Sequence, residues 1–543
     1  MFGKLTSKLI VETLGVLFAI WLLTGLVRLV SWRLYIRKLK AEGLPMLPHS
    51  LLLGHLPFVT KLMGQLPKDA HAAYLPGEIQ RTYPELGPNY YVDLMPFAPS
   101  MLVIGSPEAH YQIAQEHSLP KLPNLRNFVR PLTDGLDMLT MEGAEWKQWR
   151  GVFNPGFSHG HMMTLVPAIV KETQSFCRNL DKHVKSQDIF AMKSLTDYLT
   201  LDIIGQVVLG VHFDCQRKPS PVMESLRTQI RWFSFGVEPN LFDRYNPVRP
   251  LVQWYHSRIV NAYISSQFDE RVAMHRTHDG SDVRRTRTII DLALTAYKND
   301  VSTTKSAAID PFFKRVCMSQ IKLFLFSGHD TTSAAICYHL YLLAQHPKVL
   351  ARVRKEHDSV FGTDTASTAS IISAAPHLLS QLPLTTAVIK ESLRLFSTVT
   401  PSRQGERGFS IKDDQGRAFP TGDFLVLPDS QSIHKSPAYW PEPESFIPDR
   451  FLVAPDDPLC PVKGAWRGFE WGPRNCIGQE LAMLEMKAAL ALVSRSYDFT
   501  PAYEELDKKA GRKQVTLHGE RAYQVDILQP RGNLPMRVNA RGR

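Results

Sequence analysis

The stretch that decides the fold of this chain is Phe469-Glu470-Trp471-Gly472-Pro473-Arg474-Asn475-Cys476-Ile477-Gly478, near the C-terminus. Two glycines, Gly472 and Gly478, allow a tight loop whose backbone N–H groups can point at the sulfur of Cys476. Such hydrogen bonds lower the pKa of a thiol and favour the thiolate, the form that binds a metal. Arg474 adds a positive charge that suits a haem propionate. These features predict that Cys476 is the axial ligand of a haem iron, and they disfavour a buried cysteine in an ordinary turn.

A second polar run, Ser327-Gly328-His329-Asp330-Thr331-Thr332, lies in the middle of a segment that is otherwise apolar and helical. Hydroxyl groups there can bond to backbone carbonyls and loosen the helix, and Gly328 leaves room for a small ligand. Asp330 and Thr331 form an acid and alcohol pair able to relay protons through water. A Ser/Thr-rich kink with a solvated aspartate explains the run about equally well, so the residues alone leave both interpretations open.

Two charged motifs have helical spacing. Glu391 and Arg394 lie one turn apart in Lys390-Glu391-Ser392-Leu393-Arg394-Leu395, and Trp146 and Arg150 are four residues apart. Taken alone, such pairs are usually surface charges or surface stacking contacts that contribute little. Arg450 follows in Phe446-Ile447-Pro448-Asp449-Arg450-Phe451, between the first motif and the cysteine.

The order of these segments, from residue 146 to residue 478, resembles that of the cytochrome P-450 family. The resemblance implies a fold that is mainly α with small β-sheets (α+β), and haem b (iron protoporphyrin IX) bound to iron ligand Cys476. It implies proton delivery by the catalytic residues Asp330 and Thr331. It also implies a buried network that braces the cysteine loop, made of Glu391, Arg394 and Arg450. The cofactor-binding residues it implies are Trp146, Arg150, Arg403, Phe469, Gly472, Arg474 and Gly478.

The activity implied by the resemblance is that of a monooxygenase, which inserts one oxygen atom of dioxygen into a hydrophobic small molecule. No flavin or nicotinamide domain remains after the haem domain is counted, so electrons are expected from NADPH through a separate membrane-bound cytochrome reductase. The run Asn475-Cys476-Ile477-Gly478-Gln479-Glu480-Leu481-Ala482 is similar to filamentous-fungal enzymes that decorate polyketide or terpenoid secondary metabolites, including mycotoxins. The alternatives are a fatty-acid or alkane hydroxylase, a haem-thiolate isomerase or dehydratase that needs no external electrons, and a haem carrier or sensor.

The N-terminal segment predicts a membrane anchor. Residues 9–30 are apolar except for Glu12 and Arg28, which is long enough for one transmembrane helix. More basic residues follow this segment than precede it, so the body is expected on the cytosolic side of the endoplasmic reticulum membrane. The long apolar stretch and the absence of a small-residue cleavage site disfavour a signal peptide. The predicted division is an anchor with a Pro-containing hinge over 1–48 and a monooxygenase domain over 49–543.

The chain has 543 residues, of which 44% are hydrophobic and 21% charged, as expected for a globular protein with a large core. Its formal net charge of +11 comes from scattered basic residues without interleaved aromatic residues, so no nucleic-acid partner is expected. A membrane surface or an acidic protein partner fits this charge better. The six cysteines lie far apart without a C-x-x-C pair, which argues against a zinc site or a disulfide framework.

Short apolar runs between prolines predict a small β element between residues 84 and 104, and the C-terminal runs around Val515, Leu517, Tyr523, Val525 and Ile527 predict a hairpin. Residues 277–285 predict an exposed loop. Helical spacing predicts helices over 161–184, 194–210, 250–275, 286–298, 309–345, 346–359, 383–396 and 478–495. The segments expected to line a substrate pocket are 122–138, 232–242, the helix face around Phe324 and Phe326, and 397–402.

Overall fold

The computed structural model of the chain describes residues 2–234, 241–277, 287–301, 309–397, 402–511, 513–526 and 529–541. Most of the predicted loop 277–285 lies outside the described residues, as do Ile527 and parts of the predicted pocket segments 232–242 and 397–402.

The described residues are mostly helical. The helices are α1 Phe2–Ala41, α2 Leu56–Met63, α3 Leu75–Thr82, α4 Pro107–Tyr111, α5 Pro123–Thr133, α6 Gly143–Phe153, α7 His159–Ser186, α8 Met192–Leu209, α9 Pro221–Arg231, α10 Leu241–Arg244, α11 Val248–Thr277, α12 Ile289–Val301, α13 Pro311–Gln345, α14 Pro347–Phe361, α15 Thr368–Ala374, α16 Pro383–Leu395, α17 Ser430–Lys435, α18 Gln479–Ser496 and α19 Tyr503–Lys509.

The strands are short. They are β1 Asn89–Val92, β2 Met101–Ile104, β3 Phe190–Ala191, β4 Arg403–Gln404, β5 Ser410–Lys412, β6 Ala418–Pro420, β7 Leu425–Pro428, β8 Tyr497–Pro501, β9 Gln524–Val525, β10 Gln529–Pro530 and β11 Pro535–Ala540. A mixed sheet has the order β1-β2-β7-β4, in which only β2 and β7 run parallel. A second sheet, β3-β11-β8, is antiparallel, and β5 pairs with β6 and β9 with β10.

The expected fold class, mainly α with small β-sheets, is confirmed. Every predicted helix is present with its ends within three residues of the expected positions, and the expected β element between 84 and 104 forms as β1 with β2. The expected C-terminal hairpin is confirmed only in part: β9, which contains Val525, pairs with β10, whereas Val515, Leu517 and Tyr523 lie outside the strands. The prediction missed β11, which joins β8 and β3 across long sequence separations.

The long helix α13 lies at the centre of the main core. Its side chains pack against α8, α18, α5, α11 and α16. Asp310 begins the helix as an N-cap, since its carboxylate accepts hydrogen bonds from the backbone N–H groups of Phe312 and Phe313. Most side chains of α13 are buried, so the helix carries the polar run at 327–332 into the interior.

The N-terminal helix α1 has two parts with different surroundings. Within the described residues, Glu12–Ala41 is the one helix with the length and apolar composition to cross a membrane. The large apolar side chains from Leu14 to Val30 are exposed, whereas Arg33, Ile36 and Leu39 are buried against the body. About 20 residues before Trp32 therefore form an uncovered apolar rod of roughly 30 Å, the thickness of a bilayer core.

A buried carboxylate, Asp93, joins α1 to the body. It pairs with Arg33, accepts a hydrogen bond from the indole N–H of Trp32 at 3.2 Å, and contacts His49 Nε2 at 2.9 Å. Ser100 also donates to it, at 2.8 Å. Burial alone raises the pKa of Asp93, but these partners bring it well below the ordinary value. The segment at 43–48, expected as a hinge, is likewise held in place, since Leu44, Met46 and Leu47 are buried.

Replacing Arg33 by Met should destabilise the protein by about 3 kcal/mol, because the substitution leaves Asp93 buried without its main cation. Thermal unfolding of the full-length chain in one detergent measures the loss. Arg28→Met is the matched control, because Arg28 lies on the same helix with its side chain exposed. Equal stabilities of the two variants would show that the ion pair does not fix the helix to the body.

Candidate functional site

The cysteine loop is shaped by its backbone. Gly472 has a φ of +82°, and a Cβ there would lie 2.4 Å from the carbonyl oxygen of Ala114. The position therefore requires glycine both for its conformation and for the close approach of a neighbouring segment. Within the loop, the backbone N–H of Cys476 donates to the carbonyl of Phe469 at 3.0 Å, and that of Asn475 donates to the carbonyl of Gly472 at 3.1 Å.

The side chain of Cys476 is accessible, although protein surrounds it closely. Burial raises the pKa of its thiol, and the backbone N–H of Gly478 and the charge of Arg150 oppose that rise. Helix α18 begins three residues later, at Gln479, so the positive end of its dipole also favours a negative sulfur. A Cβ on Gly478 would lie 3.9 Å from the sulfur, an ordinary van der Waals distance, so the space beside the sulfur does not by itself require glycine.

Helix α6 contacts the loop through the two residues that the sequence singled out. Arg150 donates to the backbone and side-chain oxygens of Asn475, each at 3.0 Å, and to Asn154 at 2.7 Å. The Trp146 ring stacks on the guanidinium of Arg474, 4.6 Å from its centre. The direct hydrogen bonds of Arg150 thus go to the loop itself, and its predicted propionate contact stays a prediction.

Three cations converge beside the loop. Arg474 donates to the carbonyl of Met141 and to the carboxylate of Glu142, both at 2.9 Å, while Arg403 donates to the carbonyl of Leu119 at 3.1 Å. Burial lowers the pKa of Arg474 to about 10, and burial together with the charges of Arg403 and Arg474 lowers that of Lys121 to about 7. Cations that repel one another in a desolvated place favour an anionic ligand.

This arrangement fits haem b. A thiol that can become the metal ligand lies in the same loop as Arg474, which has Lys121 and Arg403 as neighbouring cations; two carboxylates, Glu142 and Glu470, act on this group. The cations outnumber the carboxylates, so net positive charge remains for the propionates of the cofactor. Cys476 would hold the iron, and the cations together with Trp146 would hold the propionates.

The predicted structural triad is present and fully buried. Glu391 accepts two hydrogen bonds from Arg394, both at 2.8 Å, and one from Arg450 at 3.2 Å. The backbone N–H of Ile447 also donates to Glu391, at 2.9 Å. Arg394 in turn donates to three backbone carbonyls, among them that of His434 at 2.6 Å. The triad thus fixes a long segment that has little regular secondary structure.

His434 links the triad to the cysteine loop. Its Nε2 accepts a hydrogen bond from the backbone N–H of Arg467 at 2.8 Å, and its Nδ1 contacts the hydroxyl of Ser397 at 2.7 Å. Burial lowers the pKa of His434 to about 3, so the ring is neutral. His434 is therefore a packing and hydrogen-bonding residue between the triad and the loop.

On α13, Asp330 and Thr331 face different surroundings. Asp330 is buried, and its carboxylate contacts Lys193 Nζ at 2.7 Å and Gln529 Nε2 at 3.1 Å. Burial raises the pKa of Asp330, but the charges of Lys193 and His329 and the hydrogen bonds from Lys193 and Gln529 together outweigh it, and the net shift is downward. Thr331 is half-buried and donates to the carbonyl of Ser327 at 2.8 Å. No hydrogen bond joins Asp330 to Thr331 in the described part of the chain.

Gly328 has a packing role that the sequence did not reveal. A Cβ at this position would lie 2.8 Å from Ile204 on α8, so the glycine lets the two helices approach closely. This contact does not test the expectation that Gly328 leaves room for a small ligand.

Three of the predicted pocket segments meet in one aromatic cluster. The ring centres of Phe128 and Phe233 lie 4.9 Å apart, and those of Phe233 and Phe326 lie 5.6 Å apart. Phe324 belongs to the core instead, because it is buried against Phe153 and Phe157. Of the two residues named on the predicted helix face, Phe326 belongs to the aromatic cluster and Phe324 does not.

Sequence reasoning missed two basic residues, Lys121 and Lys193. Lys121 carries no motif, and only its approach to Arg403, with which it forms a β-bridge, reveals it. Lys193 is buried at the start of α8, where it pairs with both Asp197 and Asp330. The available signal for Lys193 was Asp197, four residues later in a largely apolar helical segment.

Comparison with known proteins gives a consistent result. The model of the cytochrome P450 family matches residues 55–525. The cytochrome P450 monooxygenase polC of Polytolypa hystricis is 38% identical, over 97% of this chain and 95% of its own length. The cytochrome P450 monooxygenase acrF of Aspergillus aculeatus is 32% identical, over 88% of this chain and 99% of its own length. Human cytochrome P450 3A7 is 27% identical, over 67% of this chain and 69% of its own length.

Replacing Lys121 by Met should accelerate haem loss roughly fivefold to tenfold, as expected when one partly buried partner of an anion is removed. Transfer of haem from the purified protein to excess apomyoglobin measures the rate. Lys147→Met serves as the control because Lys147 is exposed on α6. A rate unchanged from the wild type in Lys121→Met would remove Lys121 from the propionate site.

Proposed function

Because the chain belongs to the cytochrome P450 family of haem-thiolate monooxygenases, we propose that it inserts one oxygen atom of dioxygen into a hydrophobic small molecule in a tailoring step of fungal secondary metabolism. The observation that carries the proposal is the accessible sulfur of Cys476, which lies beside desolvated cations in a loop fixed by glycines. Haem, once bound, supplies the binding and reductive activation of dioxygen.

Proton delivery is assigned to Asp330 and Thr331. The carboxylate of Asp330 is held by Lys193 with a lowered pKa, so it is ionised at neutral pH and acts as a carrier that accepts a proton before passing it on. Thr331 lies on the more accessible side of the same helix, where its hydroxyl can hold a water molecule. Water joins the two groups, since their side chains point to different sides of α13.

The substrate is proposed to be apolar because three half-buried aromatic rings, Phe128, Phe233 and Phe326, meet beside the central helix. Similarity over nearly the full length to fungal monooxygenases supports a fungal tailoring role, for a polyketide or a terpenoid. A fatty-acid or alkane hydroxylase is the second candidate, which the same apolar cluster supports.

Electrons are proposed to come from NADPH through a separate reductase in the same membrane. The uncovered apolar part of α1 supports a single-pass anchor, and the basic residues that follow it support a cytosolic body at the endoplasmic reticulum. The net charge of +11 supports docking of an acidic partner surface.

Deleting the gene in the source organism should cause a compound to accumulate that has one oxygen atom fewer than a lost product. Metabolite profiling by mass spectrometry detects the pair, and labelled dioxygen supplied to the purified enzyme should label the product. Altered fatty acids with an unchanged secondary profile would favour the hydroxylase alternative. Conversion without a reductant, and without gain of oxygen, would identify an isomerase or dehydratase.

With that substrate, Thr331→Val should release more hydrogen peroxide and form less product per reductant consumed, with product formation reduced roughly a hundredfold, since it removes a group that positions the proton. The ratio of product to peroxide measures the effect. Thr332→Val is the matched control, because Thr332 is buried on the next position of the helix. If both variants give the wild-type ratio, Thr331 does not take part in proton delivery.

A further inference from the structure

One residue of the cysteine loop has an unusual conformation. Glu470 has a φ of +63°, in the left-handed region that favours glycine. Holding a residue with a Cβ in this region costs roughly 1–2 kcal/mol. A glycine here would avoid that cost, so the side chain of Glu470 must contribute something that offsets the strain.

The carboxylate of Glu470 is held from three sides. It contacts Nε2 of His110 at 2.8 Å and Nη1 of Arg467 at 3.5 Å, and it accepts the backbone N–H of Trp471 at 3.0 Å. Its side chain is only 12% exposed, and that of His110 is 1% exposed. Burial lowers the pKa of His110, while His110 and Arg467 together overcome burial to lower the pKa of Glu470 to about 2. The pair is therefore a neutral imidazole that donates to a carboxylate.

This contact ties the loop to a separate part of the chain. His110 lies on α4, and four residues later the carbonyl of Ala114 approaches Gly472 closely. The same short segment thus contacts the loop at two points, Glu470 and Gly472. On the opposite side, the backbone N–H of Arg467 donates to His434, which the buried triad holds.

We propose that Glu470 is a positioning residue for the cysteine ligand: its carboxylate, held by His110 and Arg467, locks the first half of the loop so that Cys476 stays bound to iron as a thiolate. The inference rests on the proposed role of Cys476. This role explains why a glutamate occupies a position whose backbone conformation favours glycine. It assigns His110, which belongs to no recognised motif, to the support of the ligand.

The test uses the full-length holoenzyme, reduced and bound to carbon monoxide. The position of its main absorption band distinguishes thiolate ligation from ligation by a neutral thiol. The quantity measured is the rate at which the thiolate-ligated form converts to the thiol-ligated form under mild denaturant. Glu470→Gln keeps the size of the side chain but removes the charge. Glu470→Gly removes the carboxylate and also relieves the strained backbone. His110→Phe removes the donor, whereas His110→Gln keeps an N–H group.

We expect conversion to be roughly tenfold faster in Glu470→Gln and His110→Phe, the factor for one lost charge-assisted hydrogen bond, and close to the wild-type rate in His110→Gln. Glu470→Gly should be accelerated less than Glu470→Gln, because relief of the strained backbone opposes the loss of the carboxylate. The double variant His110→Phe with Glu470→Gln should convert no faster than the faster single variant, because both break the same contact. His357→Phe is the control, since His357 is buried and bonds to Thr385 at 2.8 Å on other elements.

Three results would overturn the proposal. In the first, Glu470→Gln converts as slowly as the wild type, which would mean that the charge of the carboxylate does not hold the loop. In the second, His357→Phe converts as fast as His110→Phe, so that the effect reflects general stability. A wild-type spectrum without the thiolate band would refute the ligand assignment of Cys476 itself, and the inference with it.

Discussion

Keeping a thiolate in a desolvated place costs free energy, and the surroundings of Cys476 oppose that cost from several directions. Burial raises the pKa of the thiol, while the N–H of Gly478, the dipole of α18 and the charge of Arg150 stabilise the negative form. Each of these contributions weakens as the sulfur moves away from the donor or charge that makes it. The loop must therefore be held in position, and much of the buried charge in this part of the molecule serves that purpose.

Paired buried charges, rather than regular secondary structure, hold the cysteine loop in position. The Glu391 triad binds the carbonyl of His434, His434 binds the backbone of Arg467, and Glu470 closes the chain of contacts to His110. Buried ion pairs contribute little net stability compared with apolar packing, but a broken one is costly. Such pairs suit a place where one conformation has to be selected among many, as in the irregular segment between α17 and α18.

How far the sequence predicts this molecule depends on the range of the contacts involved. Local patterns predicted α7, α13 and α18, because helical periodicity is a property of neighbouring residues. The cysteine loop was also predicted, since Gly472 and Cys476 act through their own backbone. The contact of Glu391 with Arg450 across 59 positions was expected only from the family resemblance, and two other distant contacts were not predicted: Lys193 meets Asp330 across 137 positions, and Arg33 meets Asp93 across 60. The local sequence of Arg33 does not distinguish it from a surface charge, and the aspartate at i+4 from Lys193 does not reveal the contact with Asp330.

The residues proposed to support the chemistry and the residues proposed to contact an apolar substrate lie on different elements except for α13, which carries both Asp330 and Phe326. The triad is joined to the loop through His434, and Asp330 is held separately by Lys193, in each case by charges and hydrogen bonds that tolerate little change. The aromatic cluster instead joins Phe128 on α5, Phe233 after α9 and Phe326 on α13 through apolar contact alone. Apolar contacts adapt to substitution at modest cost when volume is conserved. Under the proposed function, substrate preference can therefore change through these three aromatic residues while the support of Cys476 stays intact, because the two sets share only the helix α13.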